Sequence, residues 1–197
     1  MVWVDDHFIR RGTSLIAGVD EAGRGAWAGP LVAAAVIMPR LRIAGVNDSK
    51  QLTARQREQL YQGIIEQAIS WSVVSIGIDQ IDTLGVHAAN LFALSYVLTH
   101  LAVMPDLALV DGFTVAHYLP TKRLIHGDQL SYAIAAASIV AKVVRDQMMQ
   151  QLDHADDRYG FAQHKGYGTR QHQQALQQHG VSLWHRRSFA PIRALTI

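Results

Sequence analysis

The sequence contains no cysteine and little of several other residue classes, and each shortage narrows what the protein can be. Without cysteine there is no disulfide framework, no thiolate nucleophile and no zinc site with sulfur ligands. Charged residues are only 17% of the chain and hydrophobic residues are 49%, which favours a compact globule over a disordered chain. Polar residues interrupt every apolar run well short of a membrane span, and no apolar signal segment follows the first residues. We therefore expect a cytoplasmic protein.

The length and charge of the chain set broad limits on its organisation. A chain of 197 residues suffices for one domain with a substantial core and is short for two. We expect a single domain over residues 1–197, with a helical C-terminal segment at about 153–197. The formal net charge of +2 is compatible with a nucleic-acid partner but does not by itself indicate one.

The apolar patterns predict a hairpin followed by alternating helices and strands. Strands are predicted at 13–20, 29–38, 71–78, 106–112 and 121–127, and helices at 53–68, 80–103, 128–152 and 169–178. Thr53 and Gln56 have capping-box spacing, Asp128 is the predicted N-cap of the third helix, and Gly180 is the predicted stop of the last. These elements predict an α/β fold with a mixed central sheet flanked by helices.

Acidic residues follow two of the predicted strands. Asp20 and Asp111 each come after an apolar run and before a glycine-containing turn, and Asp128 follows another strand. Reactive groups gather beyond strand ends in α/β sheets, so neighbouring strands would bring these acids together. Clustered acids repel unless a cation neutralises them, and oxygen-only ligands suit Mg²⁺ or Mn²⁺. Two such ions can activate water and stabilise the leaving oxygen of a phosphodiester.

Plainer interpretations of these acids stay open. Aspartate after a strand is common in turns, and Asp128 could serve only as a helix cap. Asp20 and Glu21 are adjacent, and successive strand residues face opposite ways. For both to reach one site the strand must end or bulge, which Gly23 and Gly25 allow.

The loop Gly23-Arg24-Gly25 also has two interpretations. It could be only a flexible connection in the hairpin. Alternatively, its backbone could approach a sugar-phosphate chain, because glycines permit close approach and expose N–H groups to phosphate oxygens. Taken alone, the loop is a weak signal.

The loop does not stand alone, since several motifs occur in a fixed order. They are "DEAGRG", "NDSKQL", "LVDG", "GDQLSYAIAAASIVAKVVRD", "HKGYGT" and "HRRSFAPI". With them the sequence resembles the ribonuclease HII family (type 2 ribonuclease H), in its bacterial single-chain form, from end to end. The resemblance implies a ribonuclease H-like fold and an endonuclease that hydrolyses the RNA strand of RNA–DNA hybrids with two Mn²⁺ or Mg²⁺ ions. It also implies cutting 5′ of single ribonucleotides embedded in duplex DNA, leaving a 3′-hydroxyl and a 5′-phosphate.

The resemblance assigns roles to individual positions. The catalytic, metal-binding carboxylates of the family fall on Asp20, Glu21, Asp111 and Asp128. Its substrate loop falls on Gly23, Arg24 and Gly25, whose backbone would contact the ribose 2′-hydroxyl, the atom that distinguishes RNA from DNA.

Two further nucleic-acid contacts come from the same resemblance. The junction-sensing tyrosine of the family falls on Tyr167, whose ring would lie against the deoxyribose that follows the ribonucleotide. Without the family, a half-buried packing tyrosine is the better interpretation. Lys50 resembles a phosphate ligand, with a solvated loop lysine as the alternative.

Other basic residues have weaker signals. Lys142 and Arg145 fit a solvated helix face as well as a phosphate contact, and "HRR" at 185–187 is typical of solvated surface. His172 and His179 are seven apart on one helix, where packing or surface roles are more common than a metal site.

The chain departs from the family at two places, and rival functions stay open. Many relatives have proline after the glycine-arginine-glycine loop, where this chain has Ala26 and Trp27, and many have asparagine where it has Phe113. These changes affect substrate affinity more than reaction type. Rivals are an integrase- or resolvase-like enzyme on the same fold, or a non-catalytic binder, which would be expected to have lost an acid. We expect a monomer with no membrane partner.

Overall fold

A computed structural model describes residues 3–46 and 52–195. Its centre is one five-stranded sheet with the strand order β3-β2-β1-β4-β5. The strands are β1 Ile16–Ala22, β2 Leu31–Ile37, β3 Ser70–Ile76, β4 Leu107–Asp111 and β5 Thr121–Leu124. β1 and β2 pair antiparallel, as do β2 and β3, whereas β4 runs parallel to both β1 and β5. The predicted α/β fold with a mixed sheet is confirmed.

Helices follow and cover the strands. They are α1 Val4–Ile9, α2 Ala54–Gln67, α3 Ile78–Leu84, α4 Val86–Thr99, α5 Gly127–Leu130, α6 Tyr132–Ala155, α7 Phe161–His164, α8 Arg170–His179 and α9 Ala190–Arg193. A short 3₁₀ helix lies at Asp157–Tyr159. The described chain after α6 therefore contains short helices and connecting segments. The predicted division into one domain with a C-terminal segment at 153–197 stays a prediction.

The sheet has one long helix on each face. Alternate residues of β1 and β2, such as Val19 and Ala33, pack against α4 in one apolar cluster. The intervening residues of β2, such as Ala34 and Val36, pack against α6 in a second cluster. Both faces are therefore buried, because a strand directs successive side chains to opposite sides.

The predicted single helix over 80–103 is wrong. It is two helices, α3 and α4, which meet at Gly85 with a bend of 117°. Gly85 has φ 78° and ψ 146°, a conformation that a helix cannot continue through and that favours glycine. In the described part of the chain no single helix is long and apolar enough to span a membrane, although α3 and α4 together pass by length and composition alone.

The predicted N-cap at Asp128 is also wrong. Asp128 lies inside the short helix α5, and Ser131 is the N-cap of the long helix α6. Ser131 has extended backbone angles and its side chain accepts a hydrogen bond from the N–H of Ile134 at 3.2 Å. The break arises because a serine in extended conformation satisfies a helix N-terminus better than it continues one.

Local capping signals elsewhere are confirmed. Thr53 and Gln56 form the predicted capping box of α2. α8 begins after Thr169 and ends at Gly180, as expected. The predicted antiparallel hairpin is present. Its first strand lies about two residues later in the chain than predicted, and its second strand is shorter than predicted.

Candidate active site

Asp20 and Asp111 lie where the pairing of two neighbouring parallel strands stops. β1 and β4 are adjacent, with Val19 opposite Val110. Each aspartate is the next residue along its strand, so the two carboxylates emerge side by side at one edge of the sheet. The prediction that these acids come together is confirmed by the strand order.

Asp20 and Glu21 reach this edge from opposite faces of the sheet. Asp20 is on the α6 side and hydrogen bonds with Ser138, whereas Glu21 is on the α4 side near Asn90. β1 neither ends nor bulges there, because it pairs with β2 as far as Ala22. Instead the neighbouring pairing with β4 stops at Val19, and both carboxylates reach the opening that this leaves.

A cavity of about 330 Å³ lies over this opening, and we call it the site cavity. Its lining residues are Asp20, Glu21, Ala22, Gly23, Arg24, Gly25, Arg57, Asp111, Ser138, Lys142 and Tyr167. It thus joins three acids to the glycine-arginine-glycine loop, two further cations and the predicted junction tyrosine. A second cavity of about 360 Å³, beside α1, is lined by none of the predicted site residues.

The acids of the site cavity disfavour each other's charge. Burial raises the pKa of Asp20 well above its ordinary value, and Glu21 and Asp111 raise it further. Burial raises the pKa of Glu21 to about 7, again with a contribution from Asp111. Arg24 and Asn90 oppose this shift in Glu21, although neither polar side-chain atom of Asn90 reaches hydrogen-bond geometry. The three acids therefore repel one another in the cavity, although Arg24, Arg57 and Lys142 also line it.

The loop of Gly23, Arg24 and Gly25 is fixed from behind by a buried arginine. Gly23 has φ 86°, and a Cβ there would collide with the side chain of Arg145. Gly25 has open space around its Cα and no positive φ. Gly23 is thus required by the fold itself, whereas Gly25 is free of any such requirement and faces the cavity.

Two buried arginines support this loop. Arg145 is fully buried and donates to the carbonyls of Pro30 and Ala28 at 2.9 and 3.2 Å. Arg186 is also fully buried and donates to the carbonyls of Gly29 and Arg24 at 2.9 and 3.0 Å. Neither is a solvated surface residue, in contrast to the expectation for the helix face and for "HRR".

These two guanidinium groups place positive charge directly behind the loop. Each bonds to backbone carbonyls rather than to a carboxylate, and each keeps one buried N–H group without a partner. Burial, and next the neighbouring Arg145, lower the pKa of Arg186 to about 9. Arg145 also lies 5.5 Å from the ring centre of Tyr167. The loop and the tyrosine therefore share one buried support.

Comparisons with known proteins decide the family. A family model described as Ribonuclease HII matches residues 17–192. The chain is similar to a ribonuclease HII of Dichelobacter nodosus, 52% identical over 92% of this chain and 97% of that protein. It is similar to a ribonuclease HII of Acidothermus cellulolyticus, 50% identical over 93% of this chain and 61% of that longer protein. The chain belongs to the ribonuclease HII family.

Fold similarity agrees with this membership. The crystal structure of the ribonuclease H2 from Pyrococcus horikoshii OT3 superimposes with a TM-score of 0.78 at 26% identity, covering 92% of this chain and 96% of that one. The fold is therefore ribonuclease H-like, and the chain is an endoribonuclease H, a hydrolase.

The remaining predicted residues occupy different places in this ribonuclease HII fold. Asp128 is 1% exposed and does not line the site cavity. It follows Gly127, whose N–H donates to Asp111 Oδ1 at 2.6 Å, so α5 adjoins the acidic edge. Tyr167 lines the cavity and is 38% exposed. Lys50 lies outside the described residues.

The ligand atoms that Asp20, Glu21 and Asp111 offer fit a divalent cation. Asp20, Glu21 and Asp111 offer only oxygen ligands, and mutual repulsion raises the pKa of Asp20 and Glu21. One oxygen of Glu21 is buried without a hydrogen bond. Across residues 3–46 and 52–195 no group of three His, Cys, Asp or Glu side chains is already arranged around an ion position. The acids match a cation in their charge and in the type of their ligand atoms, but their side chains are not arranged around one ion position.

Sequence reasoning missed Ser138 and Asn90, and it treated Phe113 only as a departure from the family pattern. Ser138 and Asn90 come from the middles of α6 and α4 and contact Asp20 and Glu21 from opposite faces. Phe113 places its ring 5.0 Å from the guanidinium carbon of Arg24. For Ser138 and Asn90 the only available signal was a polar residue within an apolar run of each helix, and both residues are buried.

Proposed function

We propose that this chain is a metal-dependent endonuclease that hydrolyses the RNA strand of RNA–DNA hybrids. We further propose that it cuts on the 5′ side of single ribonucleotides embedded in duplex DNA, leaving a 3′-hydroxyl and a 5′-phosphate. The observation that carries the proposal is the site cavity, where three acids from β1 and β4 face the glycine-arginine-glycine loop and Tyr167. A general hydrolase would have no use for the last two.

The acids are proposed to hold two Mg²⁺ or Mn²⁺ ions. Asp20, Glu21 and Asp111 line the cavity, and Asp128 adjoins it through the turn that contacts Asp111. Bound there, the ions would supply water activation and charge stabilisation at the phosphodiester. Their charge would also reverse the raised pKa values of Asp20 and Glu21, because a nearby cation favours the ionised carboxylate.

The loop is proposed to recognise the ribose. Gly25 has no side chain and no neighbour within 4 Å of the position a Cβ would take, so a sugar-phosphate backbone can lie against it. Backbone N–H groups there can donate to phosphate oxygens and to the 2′-hydroxyl. The positive field of Arg145 and Arg186 behind the loop supports the binding of an anionic strand.

Arg24 is proposed to remain at the cavity through its contact with Phe113. The guanidinium group lies over the Phe113 ring, and such a contact is worth about 0.5–1 kcal/mol at an exposed site. Phe113 is one of the two departures from the common family pattern. It replaces a polar neighbour with an aromatic one that holds the loop arginine, so it supports substrate binding rather than abolishing it.

Tyr167 is proposed to sense the RNA–DNA junction. Its ring is partly exposed and lines the same cavity as the loop. A ring against the next sugar packs closely on a deoxyribose and crowds a ribose. We propose ribonucleotide removal from DNA as a task of this chain, with primer removal as the alternative task and a cytoplasmic monomer as its form.

The test is cleavage of a labelled DNA duplex that carries one ribonucleotide. We expect a single cut 5′ of the ribonucleotide with Mg²⁺ or Mn²⁺, none in excess chelator, and restored cutting when the metal is returned. The all-DNA duplex and the Asp111→Asn variant are the controls. Cutting in chelator, or cutting of the all-DNA duplex, would show that the proposal is wrong.

A further inference from the structure

Three histidines form a buried cluster below the Tyr167 loop, outside the acidic edge. His164, His172 and His185 are at most 8% exposed. The rings of His164 and His172 stack with centres 4.4 Å apart, and the Nε2 atoms of His172 and His185 are 3.0 Å apart. The proposed catalytic chemistry uses none of them.

The hydrogen bonds of this histidine cluster fix the position of every proton. His185 Nδ1 accepts from the backbone N–H of Ser182 at 3.1 Å and from the Ser182 hydroxyl at 2.8 Å, so its proton is on Nε2. That Nε2–H donates to Nε2 of His172, which leaves the proton of His172 on Nδ1. His172 Nδ1–H then donates to the backbone carbonyl of Tyr167 at 3.0 Å. His185 thereby sets the tautomer of His172, and His172 holds Tyr167.

The third histidine holds the same loop from its other end. His164 Nε2–H donates to the carbonyl of Tyr159 at 2.7 Å, so its Nδ1 accepts from the N–H of Gly166 at 3.2 Å. The Gly166 carbonyl in turn accepts from the N–H of Trp27 at 2.8 Å. Neutral imidazoles therefore hold both the N–H of Gly166 and the carbonyl of Tyr167 in place.

The surroundings keep these imidazoles neutral. Burial lowers the pKa of His172 to about 4, and burial followed by the proximity of His172 lowers the pKa of His185 to about 4. The groups facing them are the aromatic rings of Trp27, Tyr159 and Phe161 and the third histidine. Because His172 and His185 stay neutral, these hydrogen bonds persist at neutral pH.

We propose that His172 is a positioning residue for substrate discrimination, which fixes the backbone of Tyr167 through its Nδ1–H group. His172 does more than fill space, because its hydrogen bond to Tyr167 has a fixed direction. Packing requires a ring of this size, whereas the Tyr167 carbonyl requires a donor at one particular ring atom. The consequence for cleavage rests on the proposed function of Tyr167; the consequence for the loop does not.

Two amide variants separate these roles. An asparagine amide nitrogen replaces Nδ1, so His172→Asn keeps the donor to Tyr167 and loses the link to His185. A glutamine amide replaces Nε2, so His172→Gln keeps an acceptor for His185 and loses the donor to Tyr167. Both variants lose the ring and introduce a neutral amide, so they differ in size by one methylene group.

The first measurement is hydrogen exchange of the segment 164–170, which needs no activity. The N–H of Thr169 donates to the same Tyr167 carbonyl at 2.8 Å, so it reports on that carbonyl's position. We expect exchange in His172→Gln to be about tenfold faster than in His172→Asn, the scale of one hydrogen bond of about 1.4 kcal/mol. Equal exchange in the two variants would overturn the proposal.

The second measurement is the ratio of cleavage at a single ribonucleotide to cleavage of a continuous hybrid. We expect His172→Gln to lower this ratio several-fold and His172→Asn to leave it near the wild-type value. Tyr167→Ala, assayed alongside, tests the proposed function separately. If Tyr167→Ala leaves the ratio unchanged, the junction role fails, while the exchange contrast still decides whether His172 positions the loop. If Tyr167→Ala lowers the ratio but both amide variants lower it equally, the positioning role fails.

Discussion

At the scale of single residues, the fold disfavours the charge of Glu21. Its pKa is raised from 4.5 to about 7, first by burial and then by Asp111. A carboxyl with a raised folded-state pKa binds more protons when folded than when unfolded. Its contribution to stability is therefore fully present below pH 4.5 and is lost as the pH rises through about 7.

We predict that Glu21→Gln removes this loss. In chelator, the variant and the wild type should have similar free energies of unfolding near pH 4, and the variant should become more stable by about 1–3 kcal/mol at pH 7.5. Denaturant unfolding across this range measures the difference. His172 and His185 lower the stability of both proteins as the pH falls, because the pKa of each is lowered in the fold. Comparing variant with wild type cancels this contribution. If the difference in free energy of unfolding between variant and wild type stays constant over this pH range, the pKa of Glu21 is not raised to about 7.

The two glycines of the loop give a second residue-scale prediction. Gly25→Ala should change the free energy of unfolding by less than about 0.5 kcal/mol, because the added methyl group meets open space at an ordinary φ. If nucleic acid lies against this glycine, KM for a ribonucleotide-containing duplex should rise. Equal KM in variant and wild type would remove Gly25 from the substrate interface.

Gly23→Ala is the matched comparison. Here φ is 86° and the methyl group would collide with Arg145, so we expect a loss of roughly 1–3 kcal/mol in folding stability. Thermal unfolding of the two alanine variants in one buffer separates a glycine that the fold needs from one that the substrate needs.

At the scale of elements, the start of α6 depends on a residue from α1. Asp5 is buried; its Oδ1 accepts from Ser131 Oγ at 3.2 Å and from the N–H of Ala133 at 3.1 Å. Its Oδ2 accepts from the N–H of Tyr132 at 3.0 Å. A carboxylate is thus placed at the N-terminus of the longest helix, where unpaired N–H groups and the helix dipole favour it.

We predict that Asp5→Ala destabilises the protein by about 1–3 kcal/mol, because it leaves two buried N–H groups without partners. Asp6→Ala, on the same helix, removes a partly exposed ion pair with Arg42 and should cost about 1 kcal/mol or less. Neither residue lines the site cavity, so KM should be unchanged in both. Equal destabilisation by the two variants would show that Asp5 does not cap α6.

These elements also show how far the sequence predicts the fold. The strand pattern and the capping box of Thr53 are local signals, and both were confirmed. The breaks at Gly85 and Ser131 were missed because an apolar pattern continues through each of them. The burial of Arg145 was missed because its carbonyl partners, Ala28 and Pro30, are 117 and 115 residues away.

The candidate site was also predicted only in part from the sequence. The meeting of Asp20 with Asp111 followed from strand ends, a rule that needs no atomic detail. The way Asp20 and Glu21 reach one cavity did not follow, because it depends on where β4 stops rather than on β1 itself. Phe113, as a partner of Arg24, has no motif at all and is visible only in three dimensions.

At the scale of the whole molecule, the C-terminal part brings Tyr167 to the edge of the sheet. The N–H groups of Trp27 and Ala28 donate to Gly166, and the N–H of Arg186 donates to the Trp27 carbonyl at 2.8 Å. The segment after the loop is therefore held between two C-terminal segments. Three motifs far apart in sequence act as one surface because this hydrogen-bonded assembly joins them.

The last prediction tests that surface with Tyr167→Ala. A ring packed on a deoxyribose gains contact where no 2′-hydroxyl is present, and aromatic contacts with a nucleotide are worth about 1–3 kcal/mol. We therefore expect a loss of roughly tenfold to a hundredfold in cutting at an isolated ribonucleotide, and a smaller loss on a continuous hybrid.

The measured quantity is the ratio of the two cleavage rates in one buffer, for wild type and variant. Tyr167→Phe is the control, since it keeps the ring and its position over Arg145 while losing only the hydroxyl, and it should retain the wild-type ratio. If alanine leaves the ratio unchanged, Tyr167 serves only packing, and the choice of junction must come from the loop of Gly23, Arg24 and Gly25. If phenylalanine lowers the ratio as far as alanine does, the hydroxyl rather than the ring makes the discriminating contact, and the steric account of junction sensing is wrong.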